Sequence, residues 1–535
     1  MASPEAASRD APSDASAHAG TSRYRKLGPT VPLMRYAPAA VLIAILLPDS
    51  NRSTDPDLWG HLRFGEVFIA ARHLLHHDTY SYSAAGHRWR DHEWLAEVVM
   101  ALVYDAAGVV GLKLWKFACT AAAMLFVADS EASTGAPPAV QLTVLFAAAC
   151  GFVLQAQLRP QMFSLVLFGA LLALLARDTY RRDARLWLTL PLMALWANLH
   201  GGFFIGLAAL ALYSVVAFSQ DVAAHAGWRR GAGLMVLTAA SAASTLVNPY
   251  GGGIWGTVTH ALANPYTRNV IRDWQPFWWA MLAQWHSAPS GVVFYVAVIA
   301  MVGALATAMA AAPSADDLPL IAVAAMMVLA AFVSVRNMAL AAMALGAPLA
   351  HRLAMQRAKR AGEIALAMSW RPAAHVAAFM LAAAMAFGGG LFSSRLALDR
   401  AYPAGALAFM KSRGLHGNVM GEFGWGEYLI WHAAAVGDRV FIDGRYDTVY
   451  PFKVIGEYLE FYFDQPGANR VLDSYPHDFV LIGSAAPARH LMARRADWKL
   501  IYGDADSLLY ARAGAPAAEP PGLPVTAAVP AGQFP

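Results

Sequence analysis

Apolar runs long enough to enter a bilayer recur along this chain, separated by short polar stretches. The first covers about Leu33 to Leu47. Others lie near 94–110, 113–129, 138–156, 161–176, 186–199, 203–218, 232–247, 291–312, 318–333, 337–350 and 372–392. A helix needs about 20 apolar residues to cross a bilayer, somewhat fewer where it is short or tilted. The pattern therefore predicts an α-helical polytopic membrane bundle of about 11–13 spans. From about Arg395 the period changes. Short β-like runs at Asn418-Val419-Met420, Arg439 to Ile442, Asp478 to Ile482 and Trp498 to Tyr502 alternate with helical patterns at Ala406 to Ser412, Trp425 to His432, Pro451 to Phe461 and Ala488 to Arg495. Such alternation predicts a small α/β domain with a mainly parallel sheet. The expected division is a disordered leader over 1–30, a transmembrane domain over 31–394 with a first polar loop at 49–92, a water-facing α/β domain over 395–512, and a disordered Pro/Ala-rich tail over 513–535.

Composition and charge sharpen this picture. The chain has 535 residues, 58% hydrophobic and 14% charged, against about 25% charged in a soluble domain. A net charge of +4 with no basic, aromatic-interleaved patch gives no reason to expect nucleic acid. Cys119 and Cys150 both fall in apolar runs and read as buried hydrophobes. Arg23, Arg25, Lys26 and Arg35 cluster around the start of the first span, which places the N-terminus in the cytoplasm and the 49–92 loop in the periplasm. The basic clusters at 177–182 and 352–360 should also be cytoplasmic, and the second puts the C-terminal domain in the periplasm. With about twelve apolar segments these assignments conflict unless one segment fails to cross. The candidate lies between 113 and 176, where Arg159-Pro160 interrupts the run.

Candidate chemistry is concentrated in the first loop. Asp55-Pro56-Asp57, followed by Leu58-Trp59-Gly60-His61-Leu62-Arg63, holds two carboxylates at the membrane surface. One can act as a general base on a hydroxyl, or the pair can bind a divalent cation opposite a phosphate. The plain alternative is a helix start, with Asp55 as N-cap and Pro56 at N1. The loop ends on Asp91-His92-Glu93-Trp94, where three ionisable groups can join the same site or can simply anchor the interface. His73, His76 and His77 have helical spacing for zinc but lack a third ligand, so a solvated helix face is the expectation. Deeper in the chain, Arg159 sits at a helix break and can meet a phosphate. Asn198 and His200, Asn248 and Tyr250, Asp273, and Arg336 lie between apolar runs, either walling a substrate pocket or closing turns. In the C-terminal domain Asp443-Gly444-Arg445 follows a strand-like run, and Glu422, Trp425 and Tyr428 follow another, positions where α/β sheets often bind ligands.

A first span, an acidic motif early in a long loop, many further spans and a C-terminal domain together resemble the GT-C superfamily of membrane glycosyltransferases. The chain is similar to a poorly characterised bacterial branch of it. Asp55 to Glu66, Asp91 to Leu95, Arg159-Pro160-Gln161, Asn198 to Gly202, Asn248 to Gly251 and Asp443-Gly444-Arg445 carry the likeness. Where many relatives have Glu-Trp before a proline loop, this chain has Asp273-Trp274. The resemblance implies a sugar donor on a polyprenyl phosphate, transfer on the periplasmic side of the bacterial inner membrane, and an envelope glycan, lipid or protein acceptor. It gives the catalytic role to Asp57 or Asp55; Asp91 and Glu93 join them as catalytic candidates by their place at the entry to the second span. The placement of the other residues makes His61, Arg63, His92, Arg159, Asn198, His200, Asn248, Tyr250, Asp273 and Arg336 substrate-binding candidates. Any divalent cation would fall to Asp55 and Asp57. The competing expectations are a non-catalytic envelope protein whose C-terminal domain binds a ligand, and a transporter. A transporter would need inverted repeats and paired charges at mid-membrane, and the chain has neither.

Overall fold

The computed structural model describes residues 54–514 apart from 154, 226, 268–270, 288–290, 362–395, 397, 399–400 and 434–436, and describes Phe534 beyond them. The leader, the 33–47 run, the 372–392 run and most of the tail lie outside the described residues.

Helix α1 (Leu58–Ala71) starts just after the acid pair. It ends at Arg72, whose left-handed backbone (φ 56°) returns an N–H to Phe68 O at 2.7 Å. Residues 73–77 therefore leave the helix, and the helical face expected to carry His73, His76 and His77 does not form. Helix α2 (Trp94–Ser133) joins two runs that the sequence separates. It bends at Gly108, whose backbone (φ 56°, ψ −145°) is closed to most side chains. Helix α3 (Pro138–Val153) and α4 (Gln161–Arg181) flank a non-helical stretch that ends on Arg159-Pro160, because proline cannot continue an incoming helix but starts a new one readily. The bundle continues through α5 (Thr189–Leu199), α6 (Phe203–Ala223), α7 (Arg229–Ser244), α8 (Gly253–Ala263), α9 (Phe277–Ser287), α10 (Val292–Ala311), α11 (Leu318–Val333) and α12 (Met338–Ala361).

Among the described residues five helical segments are long and apolar enough to cross a membrane: α2, α4, α6, α10 and Val335–Lys359. Pro138–Phe152 and Leu318–Val333 are apolar but shorter. The centre of the bundle is built where α2 packs on α4 and α12 packs on α3, α10 and α11.

The C-terminal part folds from α13 (Ala404–Ser412), β1 (Asn418–Gly421), α14 (Gly426–Ala433), β2 (Arg439–Val440), α15 (Phe452–Tyr462), α16 (Ala468–Ser474), β3 (Phe479–Gly483), α17 (Ala488–Arg494), β4 (Trp498–Gly503) and β5 (Ser507–Arg512). The sheet order is β2-β1-β3-β5-β4. The β1–β2 and β1–β3 pairs are parallel, while β3–β5 and β4–β5 are antiparallel. The expectation of a mainly parallel sheet fails here for a local reason. Asp504 Oδ1 accepts the N–H groups of Asp506 and Ser507, closing a tight turn that sends β5 back along β4. The first loop extends the other end of the sheet. Ser81 pairs with Val440, whose N–H donates to Tyr80 O at 3.0 Å and whose carbonyl accepts Tyr82 N–H at 3.1 Å. Helix α14 lies against α1. The two parts of the chain thus meet at the start of α1.

Candidate active site

The acid pair sits in the turn that launches α1. Asp55 O accepts Leu58 N–H at 3.1 Å, and Asp55 Oδ1 accepts Asp57 N–H at 3.0 Å. Asp55 thus caps its own turn and not the helix, and Asp57 makes no capping bond. The helix break before α4 points Arg159 at this turn. Its guanidinium contacts Asp55 through Nε, lies 3.6 Å from Asp57 Oδ2, and donates to Asp273 Oδ2 at 3.3 Å. Lys116, buried on α2, is within electrostatic range of Asp55. The two acids differ sharply in access: the Asp55 side chain is 2% exposed and that of Asp57 28%. Burial pushes the Asp55 carboxyl up to about 7 against the opposing pull of Arg159. Asp55 and Asp57 therefore surround an arginine and do not open jointly toward a cation.

A second group of side chains adjoins the first across α1 and the start of α2. His61 Nδ1 lies 2.9 Å from Glu97 Oε1. Glu93 Oε1 lies 3.4 Å from His200 Nε2 and 3.8 Å from His92 Nε2. Arg336 Nη2 lies 3.3 Å from His200 Nε2, and its guanidinium stacks over Trp274 at 5.4 Å. His200 Nδ1 is held by Ser164 Oγ at 2.7 Å and Gly202 N at 2.9 Å. Burial tends to raise Glu93, but His92, His200, His61 and Arg336 outweigh it and hold the carboxyl down at about 2. Burial lowers His61, and lowers His200 to about 3, so both rings stay neutral. Burial raises Asp91.

The side chains of His61, Glu93 and Glu97 present one nitrogen and two carboxylate donors within 4.8 Å of one another. This mixed set suits zinc, which takes imidazole and carboxylate alike. The Glu97 side chain also shares a hydrogen bond with the Asp91 carboxyl, a close acid pair that a shared proton satisfies as well as a cation would. These are not the residues the sequence nominated for a cation, Asp55 and Asp57.

Other candidates have local roles. Arg63 pairs with Glu66 at 3.4 Å along α1. Asn198 Oδ1 accepts Trp94 Nε1–H at 3.2 Å, and its amide donates to Ala194 O and Val247 O. Asn248 closes its own turn through Thr245 O, Gly251 O and Tyr250 N–H. Tyr250 reaches the site indirectly, its hydroxyl accepting Asp91 N–H at 3.1 Å. Sequence reasoning missed Glu97, Ser164, Asp78 and Glu427. Glu97 was within reach, since it follows Glu93 by four residues and shares a helix face with it.

Three structures of Archaeoglobus fulgidus oligosaccharyltransferase, one of them named AglB, are similar to this chain. The complex with an inhibitory peptide and a dolichol-phosphate has a TM-score of 0.53 at 14% identity, covering 84% of this chain and 69% of that one. The apo form has a TM-score of 0.51 at 14% identity, covering 84% and 70%. The form tethered to an acceptor peptide with an NVT sequon has a TM-score of 0.53 at 13% identity, covering 84% and 69%. No family model matches the chain, and no curated protein matches it. A helical bundle with a small C-terminal sheet domain, superposing along most of its length on that oligosaccharyltransferase, shares its fold.

Proposed function

We propose that this chain is a membrane glycosyltransferase that moves a sugar from a polyprenyl-phosphate-linked donor to an acceptor on the outer face of the bacterial inner membrane. The observation that carries the reading is the convergence of Asp57, Arg159, Asp273, Glu93, His200 and Arg336 at the start of α1, in a fold shared with a lipid-linked transferase. The A. fulgidus enzyme was solved with a dolichol-phosphate, which matches a donor of this class.

Transfer needs a base at the acceptor hydroxyl and positive charge where the phosphate departs. Asp57 is the more accessible acid and serves as the base. Asp55, buried against Arg159, orients the guanidinium. Arg159 and Arg336 offer fixed donors to the departing phosphate, and a guanidinium matches phosphate geometry better than a lysine does. His200, Glu93 and Ser164 hold Arg336 in place. A divalent cation held by His61, Glu93 and Glu97 would add further charge neutralisation at the phosphate.

The test is transfer of labelled sugar from a polyprenyl-phosphate donor by purified protein in lipid. Asp57→Asn should lower turnover by about two to four powers of ten, the usual cost of a lost general base, with the thermal midpoint unchanged. Asp55→Asn should lower both turnover and midpoint, because it strips Arg159 of a buried partner. Wild-type turnover in the folded D57N protein would remove the base, and the enzyme reading with it.

A further inference from the structure

The first turn of a helix leaves backbone N–H groups with no partner inside the helix. In α1 the side chains on hand do not supply one: Asp57 makes no capping bond, and Asp55 is committed to Asp57 N–H and Arg159. The Gly60 N–H instead donates to Glu427 Oε2 at 3.1 Å, across 367 residues of sequence. Glu427 belongs to α14 in the C-terminal part and is 3% exposed. Gly444 fills the gap between this carboxyl and the acid pair. A Cβ there would collide with Asp57 Oδ1 and with Glu427 Oε1. A Cβ on Gly60 would collide with the Glu427 carboxyl itself.

This contact is rigidly backed. Arg445, next to Gly444, grips Asp443 with Nε at 2.8 Å and Nη2 at 2.7 Å, and reaches Asp78 of the first loop with Nη1 at 2.8 Å. Its guanidinium lies over three first-loop rings, Trp89 at 4.8 Å and Phe64 and Tyr80 at 5.2 Å. The Tyr450 hydroxyl donates to Asp443 Oδ2 at 2.5 Å. The position of the Asp443-Gly444-Arg445 turn relative to α1 is thus set by a buried ion triad in an aromatic box.

We propose that Glu427 is a positioning residue for the transfer reaction: from the C-terminal domain it caps the first turn of α1 at Gly60 and, across Gly444, fixes the direction of the Asp57 carboxylate. On this view the C-terminal domain completes the active centre and is not a separate binding module. Burial, reinforced by Asp57 and Asp443, raises the Glu427 carboxyl well above the usual range. A neutral carboxyl that accepts one N–H is closely imitated by an amide, so glutamine should stand in for it.

The proposal rests on the transferase reading, and two measurements on the full chain in lipid keep the two separable. The first is hydrogen exchange over residues 55–62. E427A should speed exchange in the first turn of α1 about tenfold, the scale of one lost capping hydrogen bond, and E427Q should stay within about threefold of wild type. The second is transfer, where E427A should lower kcat about tenfold at unchanged KM and E427Q should restore most of it. Should E427A fail to fold, E427D takes its place, keeping the acid but withdrawing its reach. Wild-type exchange in E427A, glutamine protecting no better than alanine, or faster exchange with undiminished kcat would each overturn the proposal. If wild-type protein transfers no sugar, the transferase reading fails on its own account, and the exchange arm still decides whether Glu427 caps α1.

Discussion

At the scale of single residues, environment separates groups that the sequence makes look equivalent. Asp55 and Asp57 are interchangeable in a three-residue motif, yet one is sealed against Arg159 and the other half-faces solvent. The sequence singled out the acids at the membrane surface as candidates, because an unpaired charge there is costly. It did not show which acid meets which cation, because Asp273 and Arg159 are 114 residues apart. The buried histidines give a prediction in pH. His200 stays neutral down to about 3 in the fold but titrates at 6.5 when free. The unfolded chain then binds more protons between those values, so its share of stability is complete above about 6.5 and is lost as pH falls toward 3. The cost is about 1.4 kcal/mol per pH unit for each such group. Glu93, held at about 2, is ionised in both states above about 4.5 and adds no slope there. Asp55, Asp91 and Glu427, raised by burial, act in the opposite sense and gain stability as pH falls, so the test is a difference: from pH 7 to pH 5 the H200Q midpoint should fall less, or rise more, than that of wild type. His61, His432 and His477 are also lowered by burial, the last two to about 4, and act in the same direction as His200. An H200Q slope equal to wild type would show that His200 is not buried neutral.

Between elements, what matters is close approach. The apolar periodicity located most helices of the bundle within a few residues, since the lipid-facing and core-facing sides both follow the helical repeat. It could not foresee that 94–110 and 113–129 continue through a bend at Gly108, nor that β5 turns back on β4, because a tight turn and its pairing direction leave little hydrophobic signature. The Asp443-Gly444-Arg445 turn was visible as a motif, but a closed surface turn explains the same letters. Its contact with α1 assigns Gly444 a steric role that can be measured. Gly444→Ala should destabilise the protein by about 1–3 kcal/mol, the usual cost of overpacking a filled site, and lower transfer. Gly303→Ala is the control. It lies inside α10 with nothing within 4 Å of a new Cβ, so it should be neutral or slightly stabilising. Equal midpoints for the two variants would show that the gap at Gly444 is wider than its neighbours imply.

For the whole molecule, the pairing of residues 80–82 with Val440 requires the first loop and the C-terminal sheet to lie on one side of the membrane. The number of crossings between them is therefore even, whatever the fate of each apolar run. On the proposed orientation, which follows the positive-inside rule, that side is the periplasm. Single cysteines at His73, in the first loop, and at Lys453, with a side chain 80% exposed, report on this directly. The native Cys119 and Cys150 are buried and should stay unlabelled. A membrane-impermeant maleimide should label both engineered sites in cells with a permeabilised outer membrane and an intact inner one. Labelling of only one would separate the loop from the sheet. Silence of both until the inner membrane is opened would invert the orientation.

The bond from Gly60 to Glu427 also sets a clock. Ribosomes add about 5–20 residues per second, so the helix start that carries Asp57 waits roughly twenty seconds to over a minute for its cap to be made. During that time the early helices are already in the bilayer, and the acid pair stands beside them without the glutamate that holds it in register. A fragment ending before α14 would insert and accumulate while remaining unable to act, so proteolytic loss of the last hundred or so residues would silence the protein without removing it from the membrane.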